Sequence, residues 1–221
     1  MNTISDLDHM TLNTRRREFD DGYVDFVVAG MVLLLTLLNW LIFSFTGIRW
    51  LVMALQWNRE LTIIGLLALL PLFYLLIVGA RKLVDRIRYR SLWKNSGSVK
   101  PLHWQVHWST SLAAGLVFIV LIAMALFLMS RGTIDSGVVL RVLVSATGVA
   151  TGVSYFGLGN EIKLSRYRWV GLAGMLLSIA LMFVPLSFPV SWLVLGLVWG
   201  FVLAASGAWG LWKSFDSAKR N

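Results

Sequence analysis

The chain has 221 residues, 57% of them hydrophobic and only 14% charged, with 11 tryptophans and no cysteine. A soluble domain carries roughly 25% charged residues, so much of this chain is expected to face lipid, and the missing cysteine excludes disulfides, iron–sulfur clusters, thiolate catalysis and Cys-based zinc sites. The net charge of +9 would suggest nucleic acid in a soluble protein, but here the charges fall between apolar runs and no nucleic-acid partner is expected.

Residues 1–22 form a polar segment carrying Arg15, Arg16 and Arg17. It does not read as a signal peptide, because the first apolar run is long enough to span, and it is expected to stay attached as a cytoplasmic segment. Within "DDGYVDF", Asp20, Asp21 and Asp25 cluster at the start of that run. Acidic groups suit a helix N-terminus. Asp25, the one expected to be partly buried, would pair with Arg81 or Lys82; a cation site or proton relay is the other reading.

A bilayer core of about 30 Å needs about 20 apolar residues of helix. Six spans meet that requirement in a membrane domain of residues 23–212: 24–47, 61–81, 109–130, 138–159, 169–185 and 190–212. The last two come from one long uncharged run split at "PLSFP", where Pro185 and Pro189 bracket a turn. "WLVMALQW" at 50–57 is too short to cross and reads as an interfacial piece with a tryptophan at each end.

Between the second and third spans lies a basic loop, 81–108. Arg81, Lys82, Arg86, Arg88, Arg90 and Lys94 are expected to contact anionic lipid headgroups, with Trp104 and Trp108 in the aromatic belt. Leu83, Val84 and Ile87 would make an apolar stripe if the second helix continues. Docking of a cytoplasmic partner is the rival reading. In "HWQVHW", His103 and His107 stand at i and i+4, on one helix face. They are weak metal or haem candidates. Their place beside two tryptophans at the membrane edge favours anchoring, or sensing of pH or lipid. No metal and no cofactor is expected.

The fourth span is the most polar. Arg141, Ser145, Gly148 and Gly152 share one stripe at 100° per residue, and Thr147, Thr151 and Ser154 share the next. One reading is a polar path or anion contact formed by Arg141, Ser145, Thr147, Thr151 and Ser154. The other is close helix packing through Gly148 and Gly152, with Arg141 snorkelling or paired with Asp135 or Glu60. The sixth span carries a small-residue stripe of Gly196, Gly200, Ala204 and Gly207, expected to pack on the fourth span or to form a homodimer seam. "RYR" occurs at 88–90 and again at 166–168, as a hairpin repeat would leave it, or as arginine-rich loops would by chance.

Sixteen of the 20 Lys+Arg residues fall on one side of this arrangement; Arg49, Arg59, Arg131 and Arg141 fall on the other. The positive-inside rule then puts both termini in the cytoplasm, with 213–221 as a cytoplasmic tail, and the even span count agrees. No HExxH, GxSxG, Walker A or dinucleotide motif occurs.

The segments "RRREFDDGYVDF" at 15–26 and "RIRYRSLWKNSGSVKP" at 86–101 resemble parts of uncharacterised bacterial polytopic inner-membrane proteins. The resemblance implies a multi-pass protein of the bacterial plasma (inner) membrane and brings no catalytic residues; a proline near Ser91 is missing from the pattern. The expected fold is all-α, six transmembrane helices in one bundle. The expected function is a non-catalytic accessory, regulatory or assembly component, with the bilayer and a protein partner or second copy as contacts. The alternatives are a small-solute transporter or channel along the fourth span, and a membrane enzyme or haem or metal protein using His103 and His107.

Overall fold

In the computed structural model, residues 19–91 and 108–220 are described, and among them the chain is helical throughout, without strands. Seven helices follow in order: α1 (Tyr23–Phe43), α2 (Phe45–Trp57), α3 (Arg59–Ser91), α4 (Trp108–Ser130), α5 (Ser136–Glu161), α6 (Ser165–Met182) and α7 (Phe188–Arg220). Of these, α1, α4, α5 and the Phe188–Ser214 part of α7 are four helices long and apolar enough to cross a membrane.

Single polar residues break the chain into α1, α2 and α3. Ser44 takes an extended conformation; its N–H closes α1 on the Trp40 carbonyl and its hydroxyl accepts from the Gly47 N–H to cap α2. This is why α1 stops at Phe43 where the apolar run alone suggested a span to 47. Asn58 repeats the device: its N–H bonds the Ala54 carbonyl, and its side chain accepts from the Leu61 N–H at 3.0 Å. Both are preferred N-cap residues, because a short side-chain oxygen can serve a free helical N–H. Helix α2 buries no residue, and Trp57 is 93% exposed. Helix α3 has 33 residues, about 50 Å at 1.5 Å per residue, so it runs well past the expected end at 81. Val84 is buried, while Leu83 and Ile87 are exposed.

The other turns have equally local causes. Asp135 caps α5 by accepting from the Val138 N–H at 2.7 Å. Lys163, at φ 53, makes the left-handed turn between α5 and α6, and the Leu164 N–H reaches back to the Gly159 carbonyl at 3.0 Å, the helix-ending pattern usually given to glycine. Pro189 stands in the first turn of α7, where its missing N–H has no helical partner to lose.

Helices α5, α6 and α7 form the middle of the bundle. α5 packs most extensively on α6 and on α4; α7 packs most extensively on α1; α3 touches only α1 and α2 among the described residues. In their most apolar windows, α5 is 39% buried and α7 33%, against 11% each for α1 and α4, so the first pair is internal and the second faces outward. The core joins Ala29 of α1, Val144 of α5, Val170 and Leu181 of α6, and Leu195, Trp199 and Leu203 of α7. A smaller cluster of Phe19, Leu158, Ile162, Leu164 and Tyr167 closes one end.

Candidate functional site

That closed end holds a buried polar cluster. Asp25, in the first turn of α1, is only 1% exposed. A buried carboxylate is tolerated only when paired and fully hydrogen-bonded, and here three groups converge on it. Arg166 Nη2 lies 3.1 Å from Oδ2. Ser206 Oγ of α7 donates to Oδ2 at 2.7 Å. The Tyr167 hydroxyl of α6 donates to Oδ1. Three helices are thus tied by one side chain. Arg166 also donates to the carbonyls of Phe19 and Asp20, which fastens the approach to α1 onto the start of α6.

Glycine makes this convergence possible. Gly22 sits at φ +75, and a Cβ there would stand 2.3 Å from the Gly207 carbonyl oxygen, while one at Gly210 would stand 1.9 Å from Arg166 Nη1. The left-handed conformation and the close approach of α7 both require a residue without a Cβ. From the polar knot an aromatic ladder leads inward: Phe19 meets Tyr167 edge-on at 5.7 Å between centroids, Tyr155 lies 5.8 Å from Tyr167, and Trp199 lies 5.7 Å from Tyr155. Trp199 Nε1 donates to Ser178 Oγ at 3.2 Å, which satisfies the indole as a buried tryptophan requires.

Two adjoining cavities flank the ladder, the first between α1, α5 and α6 and the second between α1, α5 and α7. One, of about 260 Å³, is lined by Asp25, Ser154, Tyr155 and Tyr167 among others. The other, of about 280 Å³, is lined by Thr36, Thr147, Thr151, Tyr155 and Trp199 among others, and the two share Val28 and Tyr155. The expected polar stripe therefore borders a real groove. Its hydroxyls are turned to their own helix: Thr147 donates to the Leu143 carbonyl at 3.0 Å, Thr151 to Thr147 at 2.8 Å and Ser154 to Ala150 at 3.1 Å. Arg141 is not among the lining residues of either cavity; its Nε donates to the Gly137 carbonyl at 3.4 Å, and Asp135 is occupied by its cap. Ser145 is buried with no partner for its hydroxyl among the described residues, as is Ser191. The structure brings Thr147, Thr151 and Ser154 together and leaves Arg141 apart.

The packing residues all meet neighbours, though not the same one. A Cβ on Gly148 would strike Ser178 and Leu195; one on Gly152 would strike Met175 and the Gly171 carbonyl. Gly196 faces Thr36 and Gly200 faces Leu33, while Ala204 packs on the main core. The stripe on α7 is thus directed at α1, and that on α5 mainly at α6, rather than at each other. Of the expected headgroup contacts, Lys82, Arg86 and Trp108 are exposed. Lys94, Trp104, His103 and His107 lie outside the described residues, as do the side chains of Arg81, Arg88 and Arg90. No group of three or more potential metal ligands occurs among the described residues.

Sequence reasoning missed Arg166, Tyr167 and Ser206. Asp25 takes Arg166 as its partner, where Arg81 or Lys82 was expected. The available signal was the second "RYR", read only as a repeat, whose first two residues both bind Asp25.

No family model, no curated protein and no solved structure matches this chain.

Proposed function

We propose that the chain is a non-catalytic, multi-spanning component of a bacterial inner membrane, acting as an accessory, regulatory or assembly subunit. One observation carries the reading. Most polar side chains that border the two interior cavities bond within the protein: Asp25 with Arg166, Tyr167 and Ser206, and Thr147, Thr151 and Ser154 with their own backbone. The Asp25 cluster ties three helices together, and the hydroxyl protons of Thr147, Thr151 and Ser154 are already committed to carbonyls of α5.

The six-span, both-ends-cytoplasmic arrangement belongs to the same proposal. Helix α3 contains the long apolar run 61–80. Helix α6 has 18 residues, about 27 Å of helix, and short turns join it to α5 and α7, both apolar enough to cross. A helix so connected, and packed along both neighbours, supports a further crossing despite Arg166 and Arg168 in its first turn. The bacterial placement rests on the resemblance of the two segments quoted above. Purification from native membranes in mild detergent tests the function: a stoichiometric protein partner is expected, and recovery of this chain alone contradicts it.

The groove favours a second reading, passage of a small solute along α5. Flux across liposomes containing the purified chain separates the two. Flux above protein-free liposomes that falls in Thr151→Val supports a path; none supports the first reading.

A further inference from the structure

A different groove, on the outer side of α6 and α7, has the form of a binding site for an amphiphile. The first half of α6 and residues 201–209 of α7 leave a space of about 580 Å³ between them. Its floor is made of short side chains, Ala173 and Ala205 with Val170 and Val202. Trp169 and Trp209 flank it, 70% and 62% exposed, and Phe201 stands at its inner end, 76% exposed. From Arg166 to Ala173 the groove follows seven residues of helix, about 10 Å. Its polar groups, Ser165, Arg166 and Ser206, all lie toward the end where Asp25 is held.

We infer that this groove holds one acyl chain of an anionic phospholipid, with the headgroup phosphate at the Arg166 end. Three features select that occupant. The groove is apolar along most of its length and polar at one end only, which matches a lipid lying parallel to the helices. Two tryptophans stand at that end, where an indole body packs on the acyl chain and its N–H reaches the headgroup layer. The third is a cation on the face of α7 that borders the groove, the exposed Lys213; Asp25 already offsets Arg166, and the other charged groups of this end, Lys163 and Arg168 against Asp20, Asp21 and Glu161, add no positive excess. Lys213 follows Trp209 by four residues and so continues the same face of α7 by one turn. Arg166 lines the groove, but its guanidinium is engaged by Asp25 and by the Phe19 and Asp20 carbonyls, so the phosphate contact falls to Lys213.

Native mass spectrometry of the full chain, purified in detergent and offered phosphatidylglycerol and phosphatidylcholine of equal chain length, tests it. Wild type is expected to retain one phosphatidylglycerol in preference to phosphatidylcholine. The preference should fall about fivefold in Lys213→Gln, the fold-change that one basic headgroup contact supplies, and lipid retention should be lost in Ala205→Trp, which fills the groove from α7. Should Ala205→Trp fail to fold, Ala173→Leu fills the same floor from α6. Equal retention of the two lipids overturns the assignment, and so does retention unaffected by filling the groove. A dimer that disappears on filling the groove would instead make a second copy of this chain the occupant, and also overturns it.

Discussion

Asp25 has its charge held entirely by protein, and removing one partner leaves the carboxylate where water cannot replace it. Deleting one member of a buried ion pair costs about 3–5 kcal/mol, so Arg166→Ala should destabilise the bundle by that amount in a reversible detergent-unfolding assay. Asp25→Asn in the same chain should restore part of the loss, because the stranded charge is gone; a double variant no more stable than Arg166→Ala would contradict this. Ser145 and Ser191 have the opposite sign. A buried hydroxyl without a partner costs about 1–3 kcal/mol, so Ser191→Ala should leave stability unchanged or raise it in the same assay, and a clear loss would show that the hydroxyl is bonded. At this scale the sequence was partly legible. An aspartate at the head of an apolar run had to find a cation, and that need is visible in "DDGYVDF". The choice among basic helix ends was not visible, because it depends on which ends the bundle brings together.

Small residues on α5 and α7 mark close helix approaches, and those stripes were readable from spacing alone. Their targets were not, because a glycine surface accepts almost any backbone. One such approach is between α5 and α6: a Cβ on Gly171 would lie 2.6 Å from both the Gly152 carbonyl oxygen and the Phe156 nitrogen. Both are backbone atoms, so the helices themselves must part. Gly171→Ala is expected to destabilise by about 1–3 kcal/mol, the usual range for overpacking. Gly30, on α1, has nothing within 4 Å of its would-be Cβ, so Gly30→Ala should gain up to about 1 kcal/mol of helix propensity. Thermal unfolding of the two variants side by side checks the contrast, and equal effects would refute the packing assigned to Gly171. The helix breaks at Ser44 and Asn58 follow from capping chemistry that an apolar-run search ignores, which is why the first span was set too long.

For the molecule as a whole, the proposed topology places 16 of the 20 basic residues on one side. The chain has no cysteine, so single introduced thiols report cleanly. A membrane-impermeant thiol reagent added outside intact cells should label Thr133→Cys and Ser187→Cys chains, and should label Ser96→Cys and Ser217→Cys only after the cells are opened. The reverse pattern would invert the topology, and a mixed one would change the span count. The membrane character of the chain was plain from composition and apolar runs, and four helices now carry it in three dimensions. The role of its polar residues was not plain. Thr147, Thr151 and Ser154 share a stripe in either reading: they border the cavities and also bond their own backbone, and a flux measurement separates the two. If the protein acts through a partner, as proposed, that partner stays with it on gentle extraction. The decisive measurement is the stoichiometry, by mass spectrometry, of the native complex extracted in mild detergent: a partner at fixed ratio to this chain is predicted, and recovery of this chain by itself would contradict it.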